Sequence, residues 1–189
     1  MNHLYEQLTA LKLTGFRDAL KKQLAQPGTY QELGFEERLS LLTAEELTCR
    51  ENRKAERLIK HARFRLNAEL SKLDYRNNRG LDRALIRSLS QGNWLTLKQN
   101  ILLTGATGSG KTFLACALGH NACRQGYKVY YYRLKALMEQ CYQGHADGRY
   151  SKLLTRLNNS DLLLLEDWGL EPHPPQQPSD LREIVDLIY

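Results

Sequence analysis

One stretch constrains this chain more than any other. Gly105-Ala106-Thr107-Gly108-Ser109-Gly110-Lys111-Thr112 fits the pattern Gly-x-x-x-x-Gly-Lys-[Ser/Thr] at every fixed position. Before it stands a short apolar run, residues 100–104, of strand length; after it, residues 113–123 carry helical spacing. A strand, a glycine turn and a helix in that order form a phosphate-binding loop. Glycines let the backbone take positive φ and approach an anion with no Cβ in the way. The N–H groups so freed, and the positive end of the following helix, face the phosphates. Lys111 places a compact charge on the β- and γ-phosphates, and the Thr112 hydroxyl can ligate Mg²⁺.

The second half of such a site is legible further on. Leu162-Leu-Leu-Leu-Glu166-Asp167 is an apolar strand ending in two acids. An acid at the C-terminal end of a buried parallel strand is where a Mg²⁺-facing carboxylate sits beside the phosphate loop. In that arrangement Glu166 holds the water shell of Mg²⁺ and Asp167 polarises the attacking water. From residue 100 onward strand and helix patterns alternate, with strands predicted at 101–104, 128–132 and 162–165. Helices are predicted from Lys111 to about Gln125, at about 134–143, at 150–157 and at 179–189, with a turn at 144–148. This alternation predicts an α/β fold, a parallel sheet with helices on both faces.

Ahead of it the chain reads as all-helical. Leu4, Leu8 and Leu11, then Phe16, Leu20 and Leu24, recur at helical spacing with a break near Thr14-Gly15, and Pro27-Gly28 reads as a turn. Residues 35–42 give a short amphipathic helix. Thr43-Ala-Glu-Glu46 has the form of a capping box, which predicts that a long helix starts there. On that helix Ala55, Leu58, Ile59, Ala62 and Leu66 fall on one side. Arg50, Arg53, Lys54, Arg57, Lys60, His61 and Arg65 fall on the other, a basic face that points to phosphate-backbone contact. The net charge of +6 is concentrated here: residues 1–99 hold 18 Lys/Arg against 12 Asp/Glu, and residues 100–189 hold nine of each. Such asymmetry suggests a polyanionic partner for the N-terminal half. The expected organisation is a helical domain at 1–70, a linker with a lead-in helix at 71–99, and a nucleotide-binding domain at 100–189.

Other residues carry weaker signals. Cys49, Cys116, Cys123 and Cys141 lack Cys-x-x-Cys spacing, so buried reduced thiols are expected rather than zinc or disulfides. His120 and His145 are isolated, Tyr130 to Tyr132 read as strand packing, and Trp168 is expected to pack at the strand end. Arg149 and Lys152 are minor nucleic-acid candidates. The start of the chain has no basic n-region or apolar h-region and no run is long enough to span a membrane, so a cytoplasmic protein is expected.

Together these residues resemble the IstB-like transposition helper ATPases, kin of the helicase loader DnaC and the initiator DnaA within the AAA+ class. The resemblance covers essentially the whole chain. Besides the phosphate loop it is carried by Leu11-Lys-Leu-Thr-Gly15, Phe35-Glu-Glu-Arg-Leu39, Arg50-Glu-Asn-Arg53, Arg79-Gly-Leu-Asp82, Leu114-Ala-Cys-Ala-Leu-Gly-His120 and His145-Ala-Asp-Gly148. It implies an AAA+-like ATPase core and a protein that binds ATP and Mg²⁺ and oligomerises on double-stranded DNA. It also implies partnership with a cognate transposase, with remodelling of target DNA and stimulation of transposition. Lys111, Thr112, Glu166 and Asp167 fall on the family's nucleotide-site positions.

Two departures stand out. The family's pair of aspartates is Glu166-Asp167 here, and the sensor-1 strand, arginine finger and helical lid that the resemblance implies are not found within residues 1–189. An arginine finger contributes orders of magnitude in rate, so ATP binding with feeble or absent independent turnover is expected. A DnaC-like helicase loader, a truncated non-hydrolysing remnant and a small-molecule P-loop kinase are the alternatives. The basic helical prefix argues against the kinase.

Overall fold

A computed structural model describes residues 2–75, 80–168 and 177–188. Residues 76–79 of the linker expected at 71–99, and most of the Pro-rich stretch at 171–178, lie outside the described residues. Two compact units emerge, residues 1–55 and 56–189.

The first unit is helical: α1 (Asn2–Ala10), α2 (Thr14–Ala25), the single turn α3 (Pro27–Tyr30) and the first part of α4 (Phe35–Ala62). The break between α1 and α2 falls at residues 11–13, with Lys12 at φ +58°. Pro27 opens a helical turn rather than a plain reverse turn, since its fixed φ suits the first helical position.

The capping-box reading is overturned. Residues 35–42 and the following long helix are one continuous helix, and Thr43 lies inside it. Its hydroxyl donates back to the carbonyls of Leu39 (3.2 Å) and Ser40 (2.8 Å). Glu46 caps a different helix: its Oε2 accepts the backbone N–H of Phe16 (3.1 Å) in the first turn of α2. Gly15 makes that approach possible. A Cβ there would stand 2.7 Å from Cys49 Cβ and 2.9 Å from the Glu45 carbonyl oxygen.

The second unit contains the end of α4, a 3₁₀ turn (Leu70–Lys72), α5 (Arg83–Ser90), α6 (Asn93–Thr96) and α7 (Lys111–Arg124). There follow β1 (Val129–Arg133), α8 (Leu134–Asp147), α9 (Tyr150–Asn158), β2 (Leu162–Glu166) and α10 (Gln177–Ile188). Asp82 caps α5 through a 2.8 Å bond from Ala84 N–H. The turn expected at 144–148 is mostly helix: α8 runs on to Asp147 and stops at Gly148, φ +75°.

β1 and β2 pair in parallel, with Val129 opposite Leu162 and Arg133 opposite Glu166. Alternation sorts their side chains to two faces. Val129, Tyr131, Leu162 and Leu164 meet the side carrying α7, with Ala122, Cys123, Cys116 and Ala117. Tyr132, Leu163 and Leu165 meet Leu134, Leu137, Met138, Leu153, Leu157 and Ile184 of α8, α9 and α10. Helices thus cover both faces, as the sequence predicts.

The expected first strand at 101–104 is not one. Among the described residues the sheet has two strands, and 101–104 has no ladder partner. It keeps the alternation of a strand: Ile101 and Leu103 pack with Leu114 and Leu118, while Leu102 is 83% exposed. A run of the right composition becomes a strand only when a neighbour supplies the hydrogen bonds. Trp168 also departs from expectation: it is 56% exposed rather than packed.

Candidate functional site

The glycine loop hands directly into α7. Gly110, at φ +95°, is its N-cap residue, and Gly108 sits at φ +79°. Both angles favour glycine, so the loop turns where side chains would strain it. Ser109 N–H donates to the Ala106 carbonyl (3.2 Å), closing a tight turn around Thr107. The Lys111 ammonium folds back over the loop and donates to the carbonyls of Gly105 (2.8 Å) and Ala106 (2.9 Å). An anion entering the loop would exchange those carbonyls for phosphate oxygens as the partners of this charge.

Thr112, one residue further, meets the end of β2. Its hydroxyl donates to Glu166 Oε1, and the Tyr131 hydroxyl donates to Glu166 Oε2. Register explains this meeting. Tyr131 and Glu166 both lie on the α7 face, and a slip of one residue would turn Glu166 to the opposite side. Burial, with the Glu166 acceptor and its charge, holds the Tyr131 phenol well above its ordinary range, so it stays a donor. Arg65 Nη1 stands 3.6 Å from Glu166 Oε2. A carboxylate and a hydroxyl within bonding distance at a phosphate loop supply the hard oxygen donors that Mg²⁺ prefers, so these residues fit the metal. Asp167, at φ +62°, leaves the strand, and its carboxylate lies 3.8 Å from Arg133 Nε.

The basic face is only partly as predicted. Ala55 and Ala62 are buried and Leu58 and Ile59 half-buried, so the apolar side is right. The helix ends at Ala62, Arg63 takes φ +56°, and Leu66 is 40% exposed. Arg53, Lys54, Arg57 and Lys60 are exposed and form no ion pair among the described residues. Arg50 is not free: its Nε donates to Glu46 Oε1 at 2.6 Å. Arg65 lies beyond the helix, against the acid at the end of β2. Sequence reasoning missed Tyr131, whose role depends on the register of two strands far apart in the chain.

A glycine loop opening a helix beside a parallel strand that ends in acids defines the P-loop class of α/β proteins. Within it, the chain belongs to the IstB-like ATP-binding protein family, whose profile matches residues 6–189. A predicted ATP-binding protein of insertion sequence IS1162 from Pseudomonas fluorescens is 44% identical over 97% of this chain and 80% of its own length. A predicted insertion-sequence ATP-binding protein of Sinorhizobium fredii is 39% identical over 97% of this chain and 75% of its own length. One from Mycobacterium tuberculosis is 30% identical, over 96% and 72%. Among the described residues no helix is long and apolar enough to cross a membrane.

Proposed function

We propose that this chain is the ATP-binding, DNA-binding helper of an insertion-sequence transposase, acting in the cytoplasm as a homo-oligomer on double-stranded DNA. The single observation that carries the nucleotide half is the Thr112–Glu166 contact, which joins the glycine loop to the acid-tipped strand. Residues 105–112 hold the triphosphate through backbone N–H groups, with Lys111 on the β- and γ-phosphates. Thr112 and Glu166 hold Mg²⁺, which when bound draws charge off the phosphate oxygens. Asp167 orients water once it gives up Arg133. The helical N-terminal part, with the exposed cations Arg53, Lys54, Arg57 and Lys60, contacts the DNA backbone; Arg50 and Arg65 do so only when released from Glu46 and Glu166. The insertion-sequence naming of the relatives supports the transposase as partner.

The test combines nucleotide and DNA. A ligand at 100 times its Kd stabilises the folded state by about 2.7 kcal/mol, so saturating Mg-ATP raises the melting temperature of the wild type but not of Lys111→Ala. Duplex binding by the wild type is expected to strengthen with Mg-ATP and weaken steeply with salt. A wild type with no Mg-ATP shift, or a Lys111→Ala variant with the full shift, would refute the nucleotide half. A wild type that binds no duplex at any salt concentration would refute the other.

A further inference from the structure

The outer edge of β1 gathers positive charge that the sequence does not advertise. β1 has β2 on one side and no strand on the other among the described residues. Tyr130 and Tyr132 project from it to the same face, and cations from three separate segments converge on them. Arg156, from α9, lies with its guanidinium carbon 5.8 Å from both ring centroids. It also donates to the Tyr132 hydroxyl and to Gln140 Oε1 (3.1 Å). Lys128 Nζ stands 5.5 Å over the Tyr130 ring. His61, at the end of α4, shares a 2.9 Å hydrogen bond with the Tyr130 hydroxyl. Arg63, two residues on from His61, is exposed.

Arg63, Lys128 and Arg156 form no ion pair with a carboxylate among the described residues. The acid just before β2, Asp161, accepts the Lys128 backbone N–H at 2.7 Å rather than pairing with the Lys128 ammonium. Stacking on a tyrosine returns only about 0.5–1 kcal/mol to an exposed cation, and like charges held together repel. Tyrosine-held cations with no carboxylate in ion-pair contact are therefore a site for an anion from outside. The Tyr130 ring is unavailable to a base, being 6% exposed, and Tyr132 is half-buried beneath Arg156. What remains accessible is charge, which matches phosphate backbone rather than unstacked bases. Arg57, one helical turn before His61, and Lys60 beside it continue the charge along α4 within the same unit.

We propose that the β1 edge is a phosphate-contact surface for duplex DNA, built from Arg63, Lys128 and Arg156 on a Tyr130–Tyr132 platform and continuous with Arg57 and Lys60. The proposal rests on the DNA-binding reading above and adds to it a surface on the nucleotide-binding unit.

Fluorescence anisotropy with the full chain and a random-sequence duplex tests it. Each lost phosphate contact lowers the slope of log K against log salt by about 0.9, so Arg156→Gln and Lys128→Gln should each lower it by that amount and the double variant by twice as much. Arg156→Lys keeps the charge and should keep the slope. Arg182→Gln should leave it unchanged, because Arg182 is paired with Asp186 at 3.8 Å. Lysine acetylation of the unaltered chain gives a readout independent of variant folding: duplex should shield Lys128. A wild type that binds duplex, with a double variant of undiminished slope or with Lys128 acetylated equally with and without DNA, overturns the proposal and leaves the α4 face intact. A wild type that binds no duplex overturns both readings.

Discussion

Glu46 offers the sharpest test of how the N-terminal unit is held together. Its carboxylate is buried, 6% exposed, and serves two partners: the first-turn N–H of Phe16 at 3.1 Å and the Arg50 guanidinium at 2.6 Å. Leu13, at the N-cap position of α2, has no side chain that can cap, so Glu46 supplies the missing acceptor from another helix. In Glu46→Ala the loss of a cap costs about 1 kcal/mol, with a few tenths more for the negative charge at the helix N-terminus. That cap loss is the lower end of the roughly 1–3 kcal/mol that an unsatisfied buried donor costs, and the two figures describe one effect. Arg50 is more than half exposed, so its ion pair adds at most about 0.5 kcal/mol. The better helix propensity of alanine returns a few tenths. The net expectation is a destabilisation of about 2 kcal/mol, or a roughly 30-fold loss of amide-exchange protection across α2. Glu46→Gln keeps an acceptor and should lose about half as much.

The same contacts set a pH dependence. Burial pulls the Glu46 pKa up, but the Arg50 hydrogen bond, the N–H groups of Phe16 and Gly15 and the Arg50 charge outweigh it, leaving the group below its ordinary value of 4.5. A depressed carboxylate contributes stability above that ordinary value and loses it as pH falls through the lower, folded-state value. Protection of α2 should therefore be flat from neutral pH to about 5 and fall below 4.5 in the wild type, and be flat throughout in Glu46→Ala. Hydrogen exchange of the α2 amides measures both effects. Unchanged protection in Glu46→Ala, or an equal acid response in both proteins, would refute the cross-helix cap.

Three further outcomes are expected. Gly119→Ala should lower the melting temperature, because its Cβ would stand 2.5 Å from Phe64 Cε1 and 2.8 Å from Leu164 Cδ1. Overpacking costs about 1–3 kcal/mol, against about 1 kcal/mol of helix propensity gained, and a clearly raised melting temperature would contradict the close approach. Thr112→Val and Glu166→Gln should be non-additive in denaturant unfolding, with a coupling of about 1–2 kcal/mol; additive effects would mean that the two side chains do not touch. A thiol reagent at pH 8 should label Cys49 in the folded chain and spare the other three cysteines until denaturant is added. Burial raises all three, Cys123 to about 12 and Cys141 to about 11, and equal labelling of all four would refute that burial.

The parts of this protein legible in the sequence are those written over a few neighbouring residues. The glycine loop is contiguous, and positive φ at Gly108 and Gly110 is a property of glycine itself. Helices announce themselves because residues three and four apart share a face, which is why the inward line Ala55, Leu58, Ile59 and Ala62, buried or half-buried, could be read without coordinates. The two acids ending an apolar run likewise marked the tip of β2.

Tertiary structure decided whatever joins residues dozens of positions apart. Residues 101–104 have the composition of a strand and lack the ladder, because hydrogen bonds between strands come from a neighbour the local sequence does not specify. Glu46 caps α2 and not the helix its spacing from Thr43 suggested, and α2 approaches closely because Gly15 has no side chain. Parallel register put Tyr131 and Glu166 on one face, with Arg65 beside them, and turned Asp167 to Arg133. The same packing brought Lys128 and Arg156 onto two tyrosines, joining charges that in the sequence stand 28 residues apart. Local patterning fixes which side chains a segment can offer, and packing fixes which of them meet.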